Sequence, residues 1–285
     1  MVNQTSAIPP KIKINIASLL FYMFLAGFTV FCLYPISFSM LSSFKSNDEI
    51  FANPFRLPDS FSFVNYIHAW NAGHIGIYFR NTVFLTAATL IFTALVCLLA
   101  AFVLSRFTLK FKGAILLFFV AGLMIPVQST IIPLAYAFGK FQWNDNYFIM
   151  ILLFSAFCIP MTIFVLVGFM KSIPTELEEA AVIDGCSHWR ILAQIIVPLT
   201  MPALATASIF NFIQTWNNLI FPLMFIHKPS LSTVSIGLLS FFGERTNDYG
   251  GISAAAVITI IPPIATYIFL QEKVEKGLLA GAVKG

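Results

Sequence analysis

Residues 147–170 read YFIMILLFSAFCIPMTIFVLVGFM, without one Asp, Glu, Lys, Arg or His. A helix rising 1.5 Å per residue needs about 20 apolar residues to cross the hydrocarbon part of a bilayer, and this run is long enough. Strands of a membrane barrel are shorter, about 9–11 residues, and alternate between polar and apolar side chains. The stretch therefore predicts a transmembrane helix.

Five further runs share these properties and cover residues 14–41, 82–105, 114–138, 199–226 and 251–270. The chain is 59% hydrophobic and 10% charged, against about 45–50% and about 25% in soluble domains. The first run is about twice as long as the apolar part of a signal peptide, which favours an uncleaved anchor. These patterns predict an all-α, polytopic membrane protein with six transmembrane helices.

Basic residues predict the orientation, because cytoplasmic segments are enriched in Lys and Arg. With the N-terminus inside, ten of the sixteen basic residues are cytoplasmic, and the acidic residues divide evenly. Both termini are then cytoplasmic. The predicted cytoplasmic segments are 1–13, 106–113, 171–198 and 271–285, and the predicted outer segments are 42–81, 139–146 and 227–250.

Several functional classes are disfavoured by what the six runs lack. A proton-coupled carrier normally keeps an ionisable side chain at membrane depth, and none occurs in the runs. Sodium coupling through backbone carbonyls stays open. A membrane-embedded enzyme would lack its catalytic acid, base or metal ligand, so we expect no catalytic or metal-binding residue. The GxxxxGK[ST] phosphate loop is also missing, so ATP is not expected to bind this chain by that route.

Segment 171–198 is polar and helix-forming, and it lies between two apolar runs. Thr175–Glu178 has the spacing of a capping box, which predicts a helix start. Gly185 is suited to the left-handed turn that ends a helix. Ser187 is a candidate cap for a second helix over His188–Val197, which we expect Pro198 to terminate.

The predicted helix–turn–helix offers small residues that would let a partner approach closely, and acidic residues that would orient it. An alternative is a cytoplasmic linker whose apolar face lies on lipid. The small residues are Ala180, Ala181 and Gly185, and the acidic ones are Glu178, Glu179 and Asp184.

Glu179-Ala180-Ala181, followed after three residues by Gly185 and after nine more by Ile195-x-x-Pro198, resembles the conserved cytoplasmic loop of permease subunits of ABC importers. Val197 stands where that family usually has Leu. Other segments resemble the maltose-type sugar permeases within that family. They are Glu49-Ile50-Phe51, Tyr78–Thr82, Ile125-Pro126, Trp216-Asn217 and the glycine-rich tail 277–285.

The resemblance implies a type I ABC importer permease fold in a prokaryotic cell membrane. It is closest to the six-span G-type partner of a heterodimer. It implies as partners a second permease chain, two cytoplasmic subunits that bind ATP and Mg, and an extracytoplasmic solute-binding protein. No cofactor is expected in this chain. The implied ATPase-coupling residues are Glu178, Glu179, Ala180, Ala181, Asp184, Gly185, Trp189, Ile195 and Pro198, and Gln271, Gly277 and Gly281 of the tail would lie near the ATPase.

A candidate substrate path rests on amides beside an aromatic ring, which suit the hydroxyls and C–H faces of a sugar. The same polar groups would equally serve to bond neighbouring helices. The alternative substrate for the same machinery is a phosphorylated polyol such as glycerol 3-phosphate, which is disfavoured because the runs lack Lys and Arg. The alternative class of protein is an ion-coupled secondary carrier. The residues of this path are Gln128, Asn211, Gln214, Trp216, Asn217 and Asn218.

Overall fold

The computed structural model describes residues 16–242 and 247–282, with side chains as far as Gln271. Helices are the main regular structure in these ranges. The predicted cytoplasmic segment 1–13 and the start of the first run lie outside them. The α-helices are α1 Ile16–Ser42, α2 Asn47–Ala52, α3 Val64–Asn71, α4 Ile75–Arg106, α5 Lys112–Ala121, α6 Ile131–Phe141, α7 Tyr147–Met170, α8 Glu176–Ile183, α9 His188–Ile191, α10 Val197–Trp216, α11 Ile220–Phe225, α12 Val234–Leu239 and α13 Tyr249–Ala282.

The all-α, polytopic prediction is confirmed, with five to six candidate spans in the described residues. Five stretches are long and apolar enough to cross a membrane: α1, α4, α7, the continuous helix His188–Trp216, and α13 as far as Gln271. The pair Lys112–Met124 and Val127–Phe141, which is bent by 94°, is the candidate for a sixth span. α4 begins at Ile75, several residues before the predicted start of its span.

The bend in the third span lies at Ile125 and Pro126. Ile125 has φ −79° and ψ 115°, and Pro126 has φ −63° and ψ 126°, both extended. The proline ring crowds the residue before it and disfavours the helical conformation there. Proline also has no N–H to continue the helical bonds. Residues 114–138 are therefore two short helices that meet at an angle.

The fifth span differs from the expected 199–226, and the predicted stop at Pro198 is wrong. The helix passes through Pro198 because Leu192–Ile196 forms a π-helical turn, a widening that accommodates a residue unable to donate an N–H. The span ends instead at Trp216. Asn218 Oδ1 accepts a hydrogen bond from the N–H of Phe221 at 3.1 Å, which starts the separate helix α11.

The centre of the bundle is the contact between α4 and α7, and α10 packs on both helices and on α13. Threonines of α4 and Ser155 of α7 are buried in this interior. Small side chains allow close approach of helices where lipid supplies no hydrophobic driving force. α1 packs on α13, and its side chains are almost all exposed.

The two ends of the bundle are built differently. We call the end that carries residues 171–198 the loop side, and the other end the far side. A hydrophobic cluster on the loop side joins the ends of α4 and α7 to α8, α9 and the start of α10. Two further clusters pack α3, α4, α6, α11 and α12 against the spans on the far side.

Candidate coupling site

Helix α8 begins at Glu176 without the predicted capping box. Thr175 has helical backbone angles, φ −71° and ψ −23°, and its side chain makes no cap. A capping residue needs an extended backbone to aim its oxygen at the first free amides. The carboxylate of Glu178, which would have completed the box, lies against Arg106. The prediction of a helix start is correct, but the predicted cap is wrong.

The turn at Gly185 forms as predicted. Gly185 has φ +79°, the left-handed conformation that glycine adopts without a steric penalty. The N–H of Cys186 bonds to the carbonyl of Ala181 at 2.9 Å, and that of Gly185 to the carbonyl of Val182 at 3.0 Å. These two bonds form a Schellman motif, which satisfies the last carbonyls of α8. A Cβ at Gly185 would meet nothing of this chain within 4 Å.

The second helix of the loop starts at the predicted cap. Ser187 has an extended backbone, and its Oγ accepts a hydrogen bond from the N–H of Arg190 at 3.4 Å. α9 then continues through the π-helical turn into α10. The loop is therefore one short helix, a left-handed turn and the extension of a transmembrane helix beyond its predicted span.

The face that this loop exposes differs from the predicted face. Ala181 is 7% exposed and belongs to the loop-side cluster, so it packs inward and is not offered to a partner. The most exposed apolar side chains are Ile183 at 86% and Trp189 at 72%. Val182 and Leu177 are also exposed. Large apolar side chains therefore dominate the exposed surface of the loop, which was expected to consist mainly of small residues.

The other predicted coupling residues are distributed over the same loop. Glu179, Ala180, Asp184 and Gly185 are exposed around α8 and its turn. Ile195 and Pro198 lie on the helix that leads into the membrane, half-buried and exposed respectively. Gln271 is exposed on α13, whose backbone helix continues through Gly277 and Gly281.

Sequence reasoning missed an ion pair that joins this loop to the bundle. Arg106 Nε lies 2.5 Å from Glu178 Oε1, with the two side chains 10% and 15% exposed. Arg106 Nη2 also donates a hydrogen bond to the carbonyl of Ile173 at 3.2 Å. The orientation rule counted Arg106 as a positive charge. Two features of the sequence could have indicated this pair. Arg106 directly follows a predicted span, and the loop carries three glutamates, Glu176, Glu178 and Glu179.

A cavity of about 500 Å³ separates α8 from the ends of α4 and α9. Phe102 and Phe107 form one wall, and Val182, Ile183 and His188 contribute to the others. α8 is thus held at a distance from much of the surface beneath it. Contacts to the bundle are concentrated at Ala181 and at the Arg106–Glu178 pair.

The residues of the candidate substrate path differ in exposure and in hydrogen-bond partners. The Asn211 amide is buried and donates to Thr162 Oγ1 of α7 at 2.8 Å. The Trp216 indole is 3% exposed and donates to the carbonyl of Thr259 at 3.1 Å. These two side chains, like that of Asn218, bond within the chain. Gln128, Gln214 and Asn217 are exposed.

Comparisons with known proteins agree with this architecture. Residues 95–279 match the family described as binding-protein-dependent transport system inner membrane component. The diacetylchitobiose uptake system permease protein NgcG of Streptomyces coelicolor is 34% identical, over 90% of this chain and 85% of that protein. The trehalose/maltose transport system permease protein MalG of Thermococcus litoralis is 30% identical, over 90% and 93%.

A solved structure shares the fold. It is a chain of a bacterial ABC transporter involved in the import of the acidic polysaccharide alginate. The TM-score is 0.80 at 22% identity, and the match covers 90% of this chain and 96% of that one. The arrangement of spans described above is therefore that of an ABC importer permease.

Proposed function

Because this chain belongs to the family of binding-protein-dependent transport system inner membrane components, we propose that it is the permease subunit of an ATP-driven importer of a sugar or oligosaccharide. The family places it in the inner membrane as a transport subunit. Relatives at 34% and 30% identity are named for uptake of diacetylchitobiose and of trehalose and maltose. A neutral saccharide is consistent with spans that contain no Lys or Arg in their predicted extents.

The observation that carries the proposal is the exposed apolar face of α8. Ile183 and Val182 lie beyond the membrane-spanning helices, on a helix of eight residues that leaves a cavity beneath it. Exposed apolar groups rimmed by charge, here Glu179 and Asp184, are typical of a surface that a protein partner covers. We propose that the partner is an ATPase subunit, which holds ATP and Mg outside this chain.

Most of the coupling residues predicted from the sequence keep this role in the proposal, with two residues added and two reassigned, and Ile195 and Pro198 lead from this surface into the membrane. Val182 and Ile183 join Glu179, Ala180, Asp184, Gly185 and Trp189 as the surface that the ATPase contacts, and Ala181 and Glu178 fasten that surface to the bundle. Two ATPase copies, a second permease chain and an extracytoplasmic solute-binding protein complete the proposed assembly. Gln271, Gly277 and Gly281 are proposed to lie near the ATPase.

Uptake by the reconstituted assembly tests the proposal. Proteoliposomes that contain both permeases and the ATPase are given the binding protein and a panel of labelled sugars, with glycerol 3-phosphate included. We expect saccharide to accumulate only when ATP and the binding protein are both present. Accumulation without ATP would favour an ion-coupled carrier, and preference for glycerol 3-phosphate would contradict the neutral saccharide.

A further inference from the structure

The last turn of α4 reaches the loop through one side chain. Arg106 bonds to the carbonyl of Ile173, in the turn that enters α8, and pairs with Glu178 of α8 itself. Both charged side chains are largely enclosed. In such surroundings an ion pair is screened far less than at an exposed surface. Arg106 therefore holds α8 at its entrance and in its first turn.

Little else fastens α8 to the transmembrane helices. Of its eight residues Ala181 alone is buried, and an open cavity of about 500 Å³, lined on the α8 side by Glu179, Val182 and Ile183 among others, lies between this helix and the ends of α4 and α9. The helix ends at Ile183, and the left-handed turn at Gly185 that follows it has open space around it. Without the ion pair, a force applied to α8 would be absorbed by rotation about the flanking turns.

The end of α4 that carries Arg106 is tightly packed against α7. Leu98, Phe102 and Leu104 of α4 are buried in the loop-side cluster together with Leu166 and Met170 of α7. Movement of the end of α4 must therefore displace α7, because packed interiors resist compression. A second contact, between the rings of Phe107 and His188 at 5.5 Å, links the same end of α4 to α9.

We propose that Arg106 and Glu178 are positioning residues that make α8 and α4 move as one body when an ATPase displaces α8. The inference rests on the proposed function, since it takes an ATPase as the source of the displacement. Arg106 and Glu178 are assigned no contact with substrate or nucleotide. Their effect is on how much of each ATPase cycle reaches the transmembrane helices.

Transport stoichiometry in the reconstituted assembly is the first test. In Glu178→Gln and Arg106→Gln we expect ATP hydrolysis to continue while the number of sugar molecules moved per ATP falls by about tenfold, because α8 would then move without displacing α4. Exchange of the two residues, Arg106→Glu with Glu178→Arg, should restore part of the loss. The matched control is Glu176→Gln, an exposed carboxylate on the same helix.

Two results would overturn the inference. One is a Glu178→Gln transporter that moves as much sugar per ATP as the wild type. The other is a fall in hydrolysis and uptake by the same factor, which would indicate a loss of assembled complex and a purely structural role.

The mobility of α8 in the full chain alone, in lipid nanodiscs, is the second test. A spin label is placed at the exposed position Ile183 in a background without the native cysteines. Glu178→Gln should narrow the spin-label spectrum, because α8 becomes more mobile, and Glu176→Gln should leave it unchanged. Equal spectra for the wild type and both variants would contradict the proposed connection between α4 and α8. Because no ATPase is present, this result tests the connection between α4 and α8 separately from the proposed function. Failure of the proposed function would show as a wild-type assembly without ATP-driven uptake.

Discussion

The loops at the two ends of the bundle are held in opposite ways. On the far side, residues 226–242 are bonded to the spans by buried side chains. Asn81 Nδ2 donates to the carbonyls of Ser230 at 2.8 Å and Ser232 at 3.0 Å. Thr82 Oγ1 accepts a hydrogen bond from the N–H of Val234 at 2.9 Å.

Two further groups fasten the far-side loop. Asp145 Oδ1 accepts hydrogen bonds from the N–H groups of His227 at 2.7 Å and Lys228 at 2.9 Å. The hydroxyl of Tyr147 donates to the carbonyl of Leu231 at 2.8 Å. Side chains outside the loop therefore bond several of its backbone groups. The loop-side segment instead leaves Ile183 and Trp189 exposed and leans on one ion pair. The difference is that the far-side loop is fastened by several hydrogen bonds from the spans, whereas the exposed apolar groups of the loop-side segment form the surface that we propose an ATPase covers.

The largest expected effect is on transport, at Gly185. Gly185→Val places a β-branched side chain at φ +79°, where an L residue costs about 1–2 kcal/mol. We expect uptake by the reconstituted assembly to fall by about tenfold or more. The stability of the chain alone should change much less, because the turn has no neighbours within 4 Å.

Gly185→Asn is the matched variant, since Asn tolerates the left-handed conformation better than other residues. Uptake retained by Asn and lost by Val would assign the effect to backbone conformation. Loss in both would show that the partner needs a bare turn. Normal uptake by Gly185→Val would contradict the proposed contact of this turn with the ATPase.

The next effect is on stability, at Asn81. Asn81→Ala leaves two carbonyls of the far-side loop without their donor, and we expect unfolding to become easier by about 2–3 kcal/mol. Chemical denaturation in detergent gives the magnitude, and hydrogen exchange should show residues 226–242 opening first. Asn71→Ala, at an exposed site on α3, is the control. Equal stability of the two variants would show that the far-side loop is not self-sufficient.

Asn211 tests whether a polar group in the spans bonds helices or contacts substrate. Replacement by Leu removes the 2.8 Å bond to Thr162, and such bonds between membrane helices contribute about 1 kcal/mol. We expect that loss of stability with an unchanged order of preference among sugars. Unchanged stability with altered preference would instead place Asn211 on the substrate path.

The smallest effect is the pH dependence of the Asp145 contact. The hydrogen bond from the Lys228 amide is the largest cause that lowers the pKa of this carboxyl below its ordinary 3.8; burial opposes it, and the His227 amide adds to the lowering. A lowered folded-state pKa means that the contribution to stability is complete above about pH 4–5 and is lost as the pH falls through the folded-state pKa.

We therefore expect Asp145→Asn to melt slightly below the wild type at about pH 7, and the gap to close towards about pH 3. Thermal unfolding across this range measures it. A gap that widens in acid would contradict the assigned hydrogen bonds.

Part of the candidate site could be predicted from the sequence. The turn at Gly185 and the cap at Ser187 follow from local conformational preferences, and both are present. The capping box at Thr175 failed because Glu178 has a stronger partner in Arg106, far away in the chain. Pro198 failed as a stop because a π-helical turn before it absorbs the missing hydrogen bond. In both cases the local preference was overridden, at Thr175 by a contact remote in sequence and at Pro198 by the conformation of the preceding helical turn.

Composition and run length alone determined the helical class and the six spans, because lipid demands internally bonded backbone over a set length. The tertiary structure decided which side chains meet. It turned Ala181 inward, paired Arg106 with Glu178, and bonded Asn211 and Trp216 within the chain. Such choices depend on distances between helices that are remote in sequence, and local periodicity carries no information about them.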